Sequence, residues 1–283
     1  MDRTSTDWSR QARSAFWFVL RLGISGILLL GAVFLIFWGL GSHYTFHWAE
    51  ALQFDYLMTF FIGLKVTLQL SVLGAILAIL LGIFVALARL SPWGSMRDFA
   101  GVYVHTFRNL PFLVVALLFY YGLGKAISLH SFQFAGQTFR PEFIWGVLAL
   151  GVYESSYLGE TFRAGIQSVH KEQVEAARSL GMNYVQVMRY VVLPQAFRVI
   201  LPPMTSTLIA LVKESSLLFL IGVQELTNAA RQLAIPTRRP YYFEFYTILA
   251  CFYLAIVVPL SILSHWLEGR LGASRALKEA AHP

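Results

Sequence analysis

Several charged residues stand inside long apolar runs, and they are the positions where chemistry is the first question. Glu154 sits in Val152-Tyr-Glu-Ser-Ser156 with no neighbouring cation. Lys213 and Glu214 sit side by side in Leu211-Val-Lys-Glu-Ser-Ser216, roughly 18 Å along a helix that starts at Leu201, at 1.5 Å per residue. Adjacent helical residues point about 100° apart, so Lys213 and Glu214 do not pair with each other. Each needs a partner on another helix, or water. Ionisable groups placed this way are costly, and they either form interhelical networks or line a solute or proton path. Arg108 and Asn109 precede Leu110-Pro111 inside a further apolar run. Pro111 lacks an N–H and opposes the carbonyl of Phe107, so the helix is expected to break or kink there. Such irregular backbone either is stabilised by neighbouring helices or lines a watery cavity.

The elements that must hold these residues are membrane spans. The chain has 283 residues, of which 57% are hydrophobic and 13% charged, with a mean hydropathy of +0.61. Soluble domains carry about 25% charged residues. An all-α, polytopic membrane bundle follows, with about six spans: Phe16–Leu40, Leu64–Ala88, Val102–Leu123, Phe143–Phe162, Leu201–Val223 and Tyr246–Leu267. The first run is too long for a signal-peptide core and is expected to remain as an anchor. Gly74, Ala78, Gly82 and Ala86 recur every four residues and give the second span a groove for close helix packing.

With the N-terminus inside, thirteen Lys and Arg fall in inner segments and five in outer ones. The bias places both termini in the cytoplasm. The net charge of +7 is scattered between apolar runs and forms no basic stripe, which argues against nucleic-acid binding. Trp17, Trp38, Trp48, Trp145, Tyr241, Tyr242 and Trp266 fall near span borders, as interfacial belts do. His43 and His47 are four apart with no carboxylate pattern beside them, and they read as interfacial, not metal-binding. The lone Cys251 excludes an internal disulfide and reads as a small packing residue. Glu160, three residues before Arg163, is expected to form a local pair.

The polar stretch between the fourth and fifth spans is the main cytoplasmic feature. Glu172 to Leu180 consists of good helix formers with a Glu175–Arg178 pair at i, i+3. Gly181 fits a helix end that needs positive φ. Asn183 and Gln186 have the spacing of a capping box that starts a second helix, expected to stop before Pro194. The face of Val174 and Ala177, flanked by Ala176 and Leu180, is small and apolar, suited to seating in a partner's groove.

Glu175-Ala-Ala177, Gly181 and Leu193-Pro194 together resemble the cytoplasmic signature of ABC importer permeases. Phe107-Arg-Asn-Leu-Pro111, Tyr157-Leu-Gly-Glu-Thr-Phe-Arg163, Leu193-Pro-Gln195, Leu211-Val-Lys-Glu-Ser-Ser-Leu217 and Ile221-Gly-Val-Gln-Glu-Leu226 narrow the resemblance to the polar amino-acid uptake subfamily, the histidine-, glutamine- and glutamate-type permeases. The likeness covers roughly Phe61 to Gly272. It implies a five-helix importer core over 61–272, with a coupling loop at 163–200. Around it would lie an extra N-terminal helix at 16–40 and cytoplasmic tails at 1–15 and 273–283.

The resemblance assigns ATPase coupling to Glu175, Ala176, Ala177, Gly181, Leu193 and Pro194. Pathway candidates are Arg108, Asn109, Pro111, Glu154, Tyr157, Glu160, Lys213, Glu214, Ser215 and Ser216. Implied partners are a separate ABC ATPase, a second permease chain (the same or a sister), an extracytoplasmic amino-acid-binding protein and the bilayer of a bacterial inner membrane. Glu154-Ser-Ser156 and Lys171-Glu-Gln173 depart from the family's usual residues. No G-x4-G-K-[ST] phosphate loop occurs, so the chain is not expected to be an enzyme, and ATP and Mg would bind the partner ATPase. An ion-coupled secondary transporter carrying protons on Glu154 or Glu214 is the alternative, and a scaffolding membrane subunit is a third class.

Overall fold

The computed structural model describes residues 46–127, 130–134, 136–235 and 241–271, with scattered positions between 23 and 35 that are helical. Most of the first span, both tails, His43, Trp17 and Trp38 lie outside the described residues.

After a helical turn at Trp48–Ala51, α1 (Phe54–Leu90) runs for 37 residues without a proline. It stops because Pro92 excludes Ser91 from the helical region, and Ser91 is extended with ψ 140°. Next come α2 (Gly94–Asn109) and α3 (Phe112–Leu117), the latter prolonged by a π-type turn at Leu118–Leu123 and by Gly124–Ala126. A two-stranded antiparallel hairpin follows, β1 (Phe132–Phe134) and β2 (Gln137–Phe139), in register Phe132↔Phe139. Gly136, at φ 75°, supplies the turn that lets the strands pair.

The second half begins with α4 (Pro141–Gln167), which has Pro141 in its first turn, where a missing N–H costs nothing. Then come α5 (Lys171–Ser179), α6 (Tyr184–Val187), a π-type turn at Met188–Val192, and α7 (Leu193–Glu214), which tightens to 3-10 geometry over Ser215–Ile221. The short α8 (Leu226–Ala234) and α9 (Tyr242–Leu271) complete the described chain.

Three of these helical stretches are long and apolar enough to cross a bilayer: Phe54–Leu90, Tyr184–Ile221 and Tyr242–Leu267. The third expected span is not one rod. Its halves, Gly94–Asn109 and Phe112–Ala126, meet at 107°, because Leu110 and Pro111 are both extended, with ψ 141° and 138°. The fourth, α4, has 27 residues but carries Glu154, Glu160 and Arg163, which lower its apolarity below that of a simple span.

The groove read on the second span is real and holds α4. Gly74, Ala78, Gly82 and Ala86 are buried along one face of α1, with Gly74 against Leu150 and Gly82 against Leu158 of α4. Gly151 and Gly159 of α4 answer them: a Cβ on Gly151 would lie 2.4 Å from the Leu77 side chain, and one on Gly159 2.5 Å from Val85. In a bilayer, close backbone approach of this kind supplies the dispersion that a hydrophobic effect cannot. A core of Leu70, Phe112, Val115, Ala149, Leu150, Leu211 and Leu218 joins α1, α3, α4 and α7.

Aromatic placement differs from the expected belt in part. Trp145 and Tyr241 are buried, whereas Trp48, Tyr242 and Trp266 are exposed; Trp145 fills the space left by Gly124. Cys251 is exposed on α9 and so is not a packing residue within the chain.

Candidate functional site

The polar loop between α4 and α7 is built by two reciprocal caps. Gly181, at φ 81°, ends α5. Its N–H donates to the Arg178 carbonyl at 2.9 Å, and the Met182 N–H reaches back to the Ala177 carbonyl at 3.2 Å. This is a Schellman closure, which glycine makes without the Cβ penalty. Two residues later Asn183 and Gln186 exchange side-chain and backbone bonds, each 2.9 Å. The expected helix–turn–helix and its capping box are therefore present.

The second helix does not stop before Pro194. The π-type turn at Met188–Val192 opens the backbone just ahead of it, and Pro194 sits in the first turn of α7, where its missing N–H leaves no broken bond. Tyr184–Ile221 is thus a 38-residue helical stretch, about 57 Å long at 1.5 Å per residue.

The outward face of the loop also differs from the sequence reading. Val174 and Ala177 turn inward, where Ala177 packs with Val187 and Val192 against Ile166 and Val169. The exposed side carries Glu172, Glu175, Ala176, Leu180, Tyr184 and Val185. Leu180 is 81% exposed, Val185 69% and Tyr184 67%, large values for apolar side chains on a polar loop. The expected Glu175–Arg178 pair does not form among the described residues; the Glu175 carbonyl accepts from Ser179 instead. Leu193 and Pro194 line a cleft of about 520 Å³ with Phe197, Arg198, Ile200 and Leu201.

A second cluster forms deeper in the bundle. Glu154, only 2% exposed on α4, lies beside Glu214 at the end of α7. Oε2 of Glu214 is buried without a hydrogen-bond partner. The Pro111 break lies beside them, because the Phe112 ring packs on Tyr153 at 5.4 Å. Tyr153 in turn meets the Tyr157 hydroxyl at 3.3 Å. The Arg108 guanidinium lies over the Tyr157 ring at 5.2 Å. Buried Ser215 donates to the Val212 carbonyl at 2.7 Å, and Ser216 is half-buried.

Not every candidate joins this cluster. Lys213 is exposed on α7, about 100° around the helix from Glu214, and Asn109 is exposed at the end of α2. Glu160 makes the expected pair, taking two bonds of 3.0 Å from Arg163 Nε. It lies toward the far end of α4, 3.8 Å from Arg89. Among the described residues no group of three or more His, Cys, Asp or Glu is placed to hold a metal ion.

Sequence reading passed over Glu225. It is fully buried and caps α8 by accepting 2.8 Å bonds from the N–H groups of Thr227 and Asn228. Tyr253 of α9 donates to it as well, at 3.2 Å.

Residues 78–273 match the family described as binding-protein-dependent transport system inner membrane component. The chain belongs to that family. It is 36% identical over 225 residues to the probable glutamine ABC transporter permease protein GlnM of Bacillus subtilis, covering 79% of this chain and 98% of that one. It is 33% identical over 199 residues to the glutamate transport system permease protein GluC of Corynebacterium efficiens, covering 70% and 87%. Among solved structures, a crystal structure of an amino acid ABC transporter with histidines matches at 36% identity. Its TM-score is 0.69, over 80% of this chain and 100% of that chain. A methionine ABC transporter, MetNI, in an inward-facing form shares the fold at 16% identity and a TM-score of 0.62.

Proposed function

We propose that the chain is the permease subunit of an ABC importer for polar amino acids in a bacterial inner membrane, with the 163–200 loop on the cytoplasmic side. The observation that carries the coupling role is the exposed Leu180–Tyr184–Val185 face beside Glu175 and Ala176. A separate ATPase, holding ATP and Mg, docks there; an extracytoplasmic binding protein delivers the amino acid, and a second permease chain completes the pathway. Glu175 and Ala176 make the contact, while Ala177, Gly181, Leu193 and Pro194 shape the loop.

Coupling is mechanical in this reading. Closure of the ATPase subunits pushes α5, and the helical stretch Tyr184–Ile221 carries that push directly to Glu214. The Glu154–Glu214 pair, Tyr157, Arg108 and the Pro111 break line the pathway, with Ser215 and Ser216 completing the turn beneath them. Oxygens of the carboxyl pair suit the ammonium group of an amino acid, and Arg108 suits its carboxylate. Membership of a binding-protein-dependent transport family favours this ATP-driven reading over proton-coupled carriage.

The test is transport in proteoliposomes containing the chain, the ATPase and the binding protein. Amino-acid uptake should require ATP inside and survive collapse of the proton gradient. Uptake that persists without ATP and stops with the gradient would overturn the proposal.

A further inference from the structure

Arg89 is a guanidinium without an acceptor. It stands one residue from the end of α1, with its side chain 23% exposed, and its Nε is 3.8 Å from Glu160, too far for a hydrogen bond. Glu160 is already engaged by Arg163, whose Nη1 also reaches Gln167. Arg89 hydrogen-bonds to nothing among the described residues, and its buried Nε has only the long ion pair to Glu160. The side chain is nonetheless accommodated deliberately: it crosses α2 over Gly101, where a Cβ would lie 2.8 Å from Nη1. Arg89, Arg163 and, at longer range, Arg108 surround one carboxylate, so positive charge is in excess.

The surface beside this cluster is apolar. Met96, Phe99 and Val102 follow one another at three-residue spacing along α2 and are 45%, 78% and 66% exposed, and Trp93, the residue before its first turn, is 70% exposed. The opposite face, with Ala100, Gly101 and Val104, is buried against the bundle. Because α2 is turned 107° from α3, it presents this stripe across the bundle's flank. Cationic groups beside an apolar stripe near the inner ends of spans match the two parts of a phospholipid.

We infer that Arg89, with Arg163, binds the phosphate of an anionic phospholipid of the inner leaflet, whose acyl chain lies along Trp93, Phe99 and Val102. Arg89, Phe99 and Val102 take no part in the Glu154–Glu214 cluster and need neither substrate nor ATPase, so this test is separate from that of the transport reading. Charge complementarity selects the lipid: zwitterionic head groups return a cation to the cluster, and phosphatidylglycerol does not.

The experiment uses the full chain in nanodiscs of mixed phosphatidylcholine and phosphatidylglycerol, with retained lipid read by native mass spectrometry. Phosphatidylglycerol should be retained about fivefold over phosphatidylcholine, as expected for one basic side chain at a membrane surface. Arg89→Gln should bring that ratio to about one, and Arg89→Lys should keep part of it. Phe99→Ser with Val102→Ser leaves the guanidiniums in place and should also lower retention, which keeps the test open if Arg89→Gln does not fold. An unchanged ratio in Arg89→Gln would sink the inference. So would equal stabilisation by inorganic phosphate without lipid, which would make the ligand a free oxyanion, or displacement of the lipid by a free amino acid, which would make it a solute carboxylate.

Discussion

The side-chain amide of Gln195 donates to Oε1 of Gln173 at 2.7 Å and to the Val191 carbonyl at 3.0 Å. It ties α5 to the first turn of α7 across a separation of 22 residues. The proposed coupling helix is therefore fixed to the long helix at both ends: by the Gly181 turn at one, and by this amide pair near the other. Replacing either glutamine with alanine should cost little stability, about 0.5–1.5 kcal/mol for an exposed hydrogen bond. It should nevertheless raise ATP hydrolysis relative to amino acid transported, because motion of α5 would no longer be delivered to α7. The Gln173→Ala, Gln195→Ala double variant should be no worse than either single one. Additive losses in transport stoichiometry would show that the two residues act separately.

The packing of α1 on α4 predicts a sharp difference between glycines. Gly159→Ala places a methyl about 2.5 Å from Val85 Cγ1, with the Gly82 carbonyl at 3.3 Å. Backbone on one side and a branched side chain on the other leave no easy relief, so overpacking should cost about 1–3 kcal/mol. Gly94→Ala meets nothing within 4 Å and should be neutral. Thermal unfolding in detergent distinguishes the two.

Glu154 and Glu214 should behave as one unit. Alanine at either leaves a buried carboxyl without its partner, at a cost of about 1–3 kcal/mol. Alanine at both removes the pair together, so the double variant should be less damaged than the sum of the singles. Glu154→Gln keeps the volume, can donate to Glu214 and should fold normally. If the pair contacts the transported amino acid, that same variant loses uptake while retaining ATPase binding. Normal uptake in Glu154→Gln would remove Glu154 from the pathway.

Glu225 lies in the connection between α7 and α9, and burial pushes its carboxyl up from 4.5 to about 7, against the lowering effect of the Thr227 and Asn228 N–H groups. Between those values the folded protein binds more protons than the unfolded one, so stability falls as pH rises through that window and is level above it. The full effect is about 3 kcal/mol. Glu225→Gln should flatten this part of the pH–stability curve, measured as the unfolding midpoint between pH 4.5 and 8. An identical slope in wild type and variant would assign the pH dependence to other groups.

How far the sequence reaches is clear from individual residues. Gly181, Asn183 with Gln186, the Gly74-Ala78-Gly82-Ala86 face and the Glu160–Arg163 pair act through neighbours a few positions away, and local rules locate them. The Glu154–Glu214 contact joins residues sixty apart, and only the packing of α4 on α7 brings it about. The fate of Pro111 was half legible: its missing N–H announces a break, but a 107° turn depends on where α2 finds its seat on α1 and α4. Pro194 was misjudged because a π-type turn, which local propensity does not announce, carries the helix past it. The inward turn of Ala177 was missed for a similar reason. Small residues suit an internal contact with Val187 and Val192 as well as they suit a partner's groove, and periodicity does not choose between them.

That ambiguity gives the most direct test of the coupling loop. Two kinds of variant should fail in different ways. Ala177→Leu adds bulk to a position that is 6% exposed and packed on Val187 and Val192. It should destabilise the loop by about 1–3 kcal/mol and reduce ATPase binding only through that damage. Leu180→Ser with Val185→Ser changes side chains that touch solvent in the isolated chain. It should leave the unfolding midpoint within about 0.5 kcal/mol of wild type and still abolish co-purification with the ATPase, because it removes apolar area from the docking face. Glu175→Arg should act in the same way through charge. The measurement is a pull-down of the ATPase by the permease, with thermal unfolding of each variant as the control. If the exposed-face variants bind the ATPase normally while Ala177→Leu does not, the partner does not dock on the Leu180–Tyr184–Val185 face, and the coupling surface must be sought elsewhere, first at the Leu193–Phe197 cleft.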